Sequence, residues 1–352
     1  MTVTALGVPS LRQAAGSAPA SGALVDAHGR AATDLRVSLT DRCNLRCTYC
    51  MPAEGLDWLS GDKLLGVDEI ARLIGIAVTR LGVTSVRFTG GEPLVSPNLE
   101  PAIAAAAGLS PRPEIALTTN GLGLARRAAR LKAVGLDRVN VSLDTVDVNR
   151  FATITRRDRL HDVLAGLAAA AAAGLTPVKV NAVLDQVTGI DDAVSLLRFC
   201  LSHGYQLRII EQMPLDADHH WEREKTLDSD RILTALRAHY DVEPDPAARG
   251  SAPAELWRVL GPGPSGTVGI IASVSHAFCA ACDRTRLTAD GQVRSCLFSR
   301  EETDLRALMR SGADDDALEA AWRTAMWGKP AGHGINEPGF VQPDRPMSAI
   351  GG

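Results

Sequence analysis

Apolar and polar positions alternate in character along most of this chain, and the alternation has two periods. From residue 35 onward, short runs rich in Val, Ile, Leu and Phe recur at 35–39, 83–88, 114–118, 138–143, 178–183 and 206–211. Their length and β-branched content predict strands. Between them the spacing changes to that of a helix. Ile70, Leu73, Ile74, Ala77, Val78 and Leu81 share one helical face, and Gly82 ends the pattern. Leu160, Val163, Leu164, Leu167 and Ala171 do the same before Gly174. Strands that alternate with helices build a parallel sheet with helical crossovers. Six such units predict an α/β fold, an incomplete (β/α)6 TIM-like barrel over 34–240. Chemistry in such a barrel gathers at the C-terminal ends of the strands.

The pattern weakens at both ends. Residues 1–33 are rich in Ala, Gly, Ser and Pro, so they read as a mobile segment, without the basic and apolar regions of a signal peptide. Residues 241–253 hold three prolines among Ala, Gly and acidic residues and read as a linker. Residues 254–352 then form a smaller C-terminal domain. No apolar run approaches the roughly 20 residues that span a bilayer, which predicts a protein outside the membrane.

Polar residues inside the strand runs change the picture. Arg36, Arg87, Thr118, Ser142 and Lys179 all fall within predicted strands. Parallel strands are usually buried on both faces and apolar throughout. A cation there needs a carboxylate partner, a solvent-exposed strand tip, or an anionic ligand. Three cations on three strands of one barrel favour the ligand. The whole chain carries a net charge of −4, which disfavours a nucleic-acid-coating role.

The seven cysteines sharpen the reading, because six of them fall into two sets of three. Cys43, Cys47 and Cys50 are spaced Cys-x3-Cys-x2-Cys, with Tyr49 before the last. A cubane iron–sulfur cluster normally takes four cysteines, so three thiolates would leave one iron open to a small molecule. The alternative is structural zinc, which wants four ligands in paired spacings. Cys279, Cys282 and Cys296 form the second set. Asp290-Gly291 between short alternating runs signals a hairpin that folds Cys296 back beside Cys282. Zinc is a fairer rival here, with His276 as a fourth ligand. Arg284 and Arg286 share one face of that hairpin and could reach one anion. Cys200 lies in an apolar helical stretch and reads as a buried thiol. The Gly90-Gly91-Glu92-Pro93 run after the second strand is by itself only a turn. Two glycines would let a backbone approach a ligand, and Glu92 could accept from an ammonium group.

Together, Cys43-x3-Cys47-x2-Cys50 with Tyr49, Gly90-Gly91-Glu92-Pro93, Phe278 to Arg286 and the terminal Pro346-Met347-Ser348-Ala349-Ile350-Gly351-Gly352 resemble the radical S-adenosylmethionine (SAM) enzymes. They resemble most closely the family that opens molybdenum cofactor biosynthesis. The likeness runs from about residue 34 to the last residue. It implies a lyase, a GTP 3′,8-cyclase, with two [4Fe-4S] clusters held by Cys43, Cys47, Cys50 and by Cys279, Cys282, Cys296. It implies that Tyr49, Gly91, Ser142 and Met213 line SAM. It implies that Arg36, Arg87, Thr118, Lys179, Arg284 and Arg286 bind GTP. Arg284, Arg286, Gly351 and Gly352 would serve the chemistry, the last two by threading the tail into the site rather than fraying. It further implies an electron donor, cyclic pyranopterin monophosphate synthase as the next enzyme, a cytoplasmic monomer or homodimer, and no nucleic-acid or membrane partner.

Overall fold

The computed structural model describes residues 16–186, 188–261 and 263–351. Six parallel strands form its centre: β1 (Asp34–Ser38), β2 (Ser85–Thr89), β3 (Glu114–Thr119), β4 (Arg138–Ser142), β5 (Lys179–Val183) and β6 (Gln206–Ile210). All six predicted runs are strands, within a residue or two. The helix Val67–Thr79 buries Ile70, Leu73, Ile74, Ala77 and Val78, and Gly82 at φ +77° turns the chain back. The helix Leu160–Ala172 ends before Gly174 at φ +71°. Each fully buried Leu or Ile on these faces contributes about 1.5–3 kcal/mol, which is what holds the helices to the sheet.

Six further strands are β7 (Asp241–Pro244), β8 (Glu255–Leu260), β9 (Gly266–Ile271), β10 (Arg284–Leu287), β11 (Gln292–Arg294) and β12 (Thr303–Asp304). They join the central strands in one sheet ordered β12-β11-β10-β1-β2-β3-β4-β5-β6-β9-β8-β7. The sheet is not closed. The C-terminal part therefore flanks the barrel on both edges instead of forming a layer of its own. β10 adds parallel to β1, and β9 adds parallel to β6.

Two boundary expectations differ from the structure. Residues 241–253 are not simply a linker, because β7 pairs antiparallel with β8 and buries Val242. Pro244 is tolerated there because β7 is an edge strand. Nor are residues 16–33 loose. Leu24 is fully buried, its N–H donates to Leu81 O at 3.0 Å, and Val25 bridges Ala31. One apolar side chain and a buried Asp26–Arg30 ion pair dock a segment whose composition alone reads as mobile. Residues 1–15 lie outside the described residues. Cys200 is fully buried on the helix Gly189–His203, and burial pushes its thiol up to about 12.

Candidate active site

The loop after β1 carries the first three cysteines. Its backbone is pinned to the end of the helix Val148–Thr155, where Arg46 N–H donates to Thr155 O (3.1 Å) and Thr48 N–H to Ile154 O (2.9 Å). Arg156 reaches across from φ +54° to the carbonyls of Arg46 and Met51. Cys43, Cys47 and Cys50 are half-buried, free, and line one cavity of about 350 Å³. Burial raises all three thiols, Cys50 to about 12. Their hydrogen-bond donors are neutral; the Asn120 amide lies 3.7 Å from Cys43 Sγ. Tyr49 lines the same cavity and donates to Asp144 Oδ2 at 2.8 Å. Ser142 and Met213 line it too.

Gly90 and Gly91 face this loop. A Cβ on Gly90, at φ +154°, would stand 2.6 Å from Thr40 O, and one on Gly91 would run into the carbonyls of Asp41 and Arg42. Gly91 N–H donates to Thr40 O (2.6 Å) and Glu92 N–H to Arg42 O (2.8 Å). The glycines are thus needed for backbone to lie on backbone, which sets the approach to Cys43. Glu92 is not free for an ammonium group in the way its sequence position implies. It accepts from Leu94 N–H (2.9 Å), Thr119 Oγ1 (2.6 Å) and Asn120 N–H (2.7 Å). Burial nonetheless raises its carboxyl to about 7.

Register places the cations. Arg36 on β1 is level with Arg87 on β2 and with Arg286 on β10. Neighbouring strands lie about 4.8 Å apart, so three guanidinium stems stand side by side, an arrangement that costs energy unless an anion answers it. Asp34 gives one nearby carboxylate, 3.6 Å from Arg36 Nη2. Arg87 is 7% exposed, yet its Nε and Nη1 are buried with no hydrogen-bond partner, as is Arg36 Nε. Burial and then the Arg36 charge hold Arg87 well below its ordinary pKa. Burial and then Arg36 pull Arg286 down to about 9. Thr118 lines the cavity and accepts from Asn140 Nδ2 at 3.3 Å. Lys179 opens β5, below the cavity lining; burial and then Arg208 lower it to about 8.

The predicted hairpin is β10–β11, turning at Gly291 (φ +79°). Cys279, Cys282 and Cys296 line the same cavity as the first set. Arg284 and Arg286 lie on one face, as alternation requires, but they do different things. Arg284 Nε lies 3.3 Å from Cys282 Sγ, and its guanidinium sits 5.0 Å over the Phe278 ring. Arg286 Nη1 donates to Gly351 O at 2.8 Å. Burial would raise the Cys282 thiol, but Arg284 and Lys329 outweigh it and bring it down to about 6. His276 does not join the cysteines; its Nδ1 lies 3.1 Å from Ser229 Oγ and from Ser275 Oγ.

The tail enters the barrel. Ser348 and Ile350 are buried, and Arg345 is held by Asp290 at 2.8 Å and by Glu302 at 2.8 Å. A Cβ on Gly351, at φ +83°, would stand 2.6 Å from Thr89 Oγ1. Gly352 lies outside the described residues.

The radical SAM superfamily model matches residues 37–200, and the molybdenum cofactor synthesis C-terminal model matches residues 205–335. A GTP 3′,8-cyclase of Mycolicibacterium smegmatis is 72% identical, with both chains covered completely. One from Mycobacterium marinum is 71% identical, and a GTP 3′,8-cyclase 2 of Mycobacterium tuberculosis 70%, again over both whole chains. The chain belongs to the GTP 3′,8-cyclase family. Among solved structures, Streptococcus suis SuiB bound to S-adenosylmethionine shares 13% identity at a TM-score of 0.56, covering 90% of this chain and 75% of that one. SuiB bound to its precursor peptide SuiA gives 0.58 at 14%, covering 84% and 66%. These two likenesses concern the fold.

A GTP 3′,8-cyclase family member of the radical SAM type requires an iron–sulfur cluster, and the first cysteine loop fits one. Three unpaired thiols lie on one loop at the cavity wall. Thiolates are the ligands that hold iron–sulfur clusters. Sequence reasoning missed Arg208. It lines the cavity from β6, is 7% exposed, and donates from Nε to Asn181 Oδ1 at 2.9 Å. Its signal was present, a cation within an apolar strand run like Arg36 and Arg87. Lys329 had no such signal, since it follows a surface helix.

Proposed function

We infer that this chain is a GTP 3′,8-cyclase, which converts GTP with SAM to (8S)-3′,8-cyclo-7,8-dihydroguanosine 5′-triphosphate. The observation that carries this reading is the cavity itself: two incomplete cysteine sets line it together with the level Arg36, Arg87 and Arg286, beside which Asp34 is one carboxylate. In this reading Cys43, Cys47 and Cys50 hold one [4Fe-4S] cluster and Cys279, Cys282 and Cys296 a second. When bound, the clusters and SAM would supply the one-electron and radical chemistry that the cyclisation needs.

The chain's own residues bind, orient and exclude water. Tyr49, held by Asp144, together with Gly91, Ser142 and Met213, would form the wall against SAM. Arg36, Arg87 and Arg208, with Thr118 and with Lys179 beneath them, would meet the triphosphate, whose charge answers the buried guanidinium groups. Arg286 is shared between substrate and tail, since it already holds Gly351 O. Arg284 serves the second cluster through Cys282 and stacks on Phe278. The tail, clipped by Arg345 to Asp290 and Glu302, would seal the cavity while Gly351 stands against Thr89.

An outside electron donor is required, and cyclic pyranopterin monophosphate synthase would consume the product. A reducing compartment such as the cytoplasm suits six unpaired ligand cysteines. Among the described residues no helix is long and apolar enough to cross a membrane.

The test is anaerobic incubation of the reconstituted protein with GTP, SAM and dithionite. We expect about eight irons per chain and 5′-deoxyadenosine formed in step with the cyclised product. Cys50→Ser should lose SAM cleavage. Cys296→Ser should lose cyclisation while some uncoupled cleavage survives. Cleavage that ignores GTP in the parent protein sinks the substrate assignment, and zinc in place of iron at the second set sinks the two-cluster reading.

A further inference from the structure

The two cysteine sets differ in what faces their sulfurs. Among the described residues no cationic donor reaches a sulfur of the first set: the Asn120 amide lies 3.7 Å from Cys43 Sγ, while Arg46 donates to the Cys43 carbonyl instead. In the second, Cys282 Sγ meets two cationic donors, Arg284 Nε at 3.3 Å and Lys329 Nζ at 3.3 Å. Lys329 is 4% exposed. It lies just past the helix Asp315–Trp327, and its Nζ also donates to Cys282 O (3.1 Å) and Arg284 O (2.9 Å). Among the described residues it forms no ion pair with a carboxylate. A buried ammonium is costly without a counter-charge, and among the described residues the ligand sulfur within reach of Nζ is that of Cys282, 3.3 Å away.

The segment that carries Lys329 is itself clamped to the second set. Arg30 bridges the two with donations to Cys279 O (2.8 Å), Pro330 O (2.7 Å) and Ala331 O (2.8 Å), while its Nε holds Asp26. Lys329 is therefore placed by a rigid frame rather than by chance approach of a flexible stem. Net charge and hydrogen bonds to ligand sulfurs set the potential of an iron–sulfur cluster. Reduction adds negative charge, so a fixed cation on one ligand sulfur favours the reduced form.

We propose that Lys329 is a positioning residue of the second cysteine site, whose buried ammonium holds the Cys282 sulfur as a ligand and raises the reduction potential of the cluster bound there. This rests on the two-cluster reading above. It makes the two sites electronically unlike. The first site, whose sulfurs meet no cationic donor among the described residues and lie near the Glu92, Asp144 and Asp216 carboxylates, is the more reducing and suits delivery of an electron to a sulfonium. The second, with two cations on one ligand sulfur, takes up an electron more readily than the first.

The experiment uses full-length protein, reconstituted anaerobically, as parent, Lys329→Gln and Lys329→Arg. Gln keeps a donor for the two carbonyls and removes the charge; Arg keeps the charge. Each cluster's midpoint is read by redox titration followed by electron paramagnetic resonance, and the two waves are assigned with a chain in which Cys43, Cys47 and Cys50 are Ser. Lys329→Gln should move the second midpoint to lower potential and leave the first in place. Lys329→Arg should stay near the parent. If Lys329→Gln instead holds about four irons per chain and Lys329→Arg restores about eight, the holding role stands. An unmoved second midpoint in Lys329→Gln overturns the proposal, as do equal shifts at both sites or iron loss that Arg does not restore. A parent with only one cluster sinks the underlying reading instead, which keeps the two failures apart.

Discussion

Replacing Arg87 by Met should make the ligand-free protein more stable and its substrate site much worse. Arg87 is buried on β2 beside Arg36, with two of its guanidinium nitrogens unpartnered. Leaving buried donors unsatisfied costs about 1–3 kcal/mol. Replacing buried ions by apolar groups of similar size is often neutral or stabilising by about 1–4 kcal/mol. Met matches the length of the stem and removes one of three level cations, so a gain of about 1–3 kcal/mol is expected. In the complex the sign reverses. Charge-assisted hydrogen bonds contribute about 1.5–3 kcal/mol each, so losing a two-pronged contact to phosphate should weaken GTP binding roughly 100-fold or more. Urea unfolding of the apoprotein reads the first effect, and calorimetric titration of the cluster-loaded protein with GTP reads the second. A destabilised Arg87→Met apoprotein would show that Arg87 is a structural residue, and unchanged GTP affinity would remove it from the substrate site.

Two further outcomes are expected. Lys179, lowered to about 8 mainly by burial, should hold triphosphate only while charged, so GTP affinity should fall as pH rises through about 8, and Lys179→Met should abolish that step. Linkage runs the other way for the free protein, because the unfolded chain keeps its proton up to about 10.4, so this lysine makes stability rise with pH between the two values. Gly91→Ala would drive a methyl into the carbonyls of Asp41 and Arg42. It should destabilise the fold by about 1–3 kcal/mol and lower iron at the first site, leaving the second loaded; normal iron at both sites would refute the argument that this turn sets the cysteine loop.

Much of this was legible without coordinates. The periodicities at 35–39 and 70–81 reflect backbone geometry alone, since side chains repeat every two residues in a strand and every 3.6 in a helix. The cysteine spacings were legible because ligands on one short loop need no long-range folding to converge. Arg36 and Arg87 stood out because a cation in a buried strand is anomalous by itself. The role of Gly91 was only half visible: a turn with two glycines could be read, but not that the space it needs is taken by the backbone of residues 40–42.

What the sequence by itself determined is the six central strands, the helical faces between them and the two sets of three cysteines proposed as ligands. All depend on neighbours a few residues away. Only the tertiary structure decided which cations share a level, because register across β10, β1 and β2 joins positions up to 250 residues apart (Arg36 with Arg286). It alone tied residues 24–32 to the barrel, put the tail against Arg286, and brought Lys329 to the sulfur of Cys282. Those contacts come from packing across the sheet edges, and no local pattern in the chain records them.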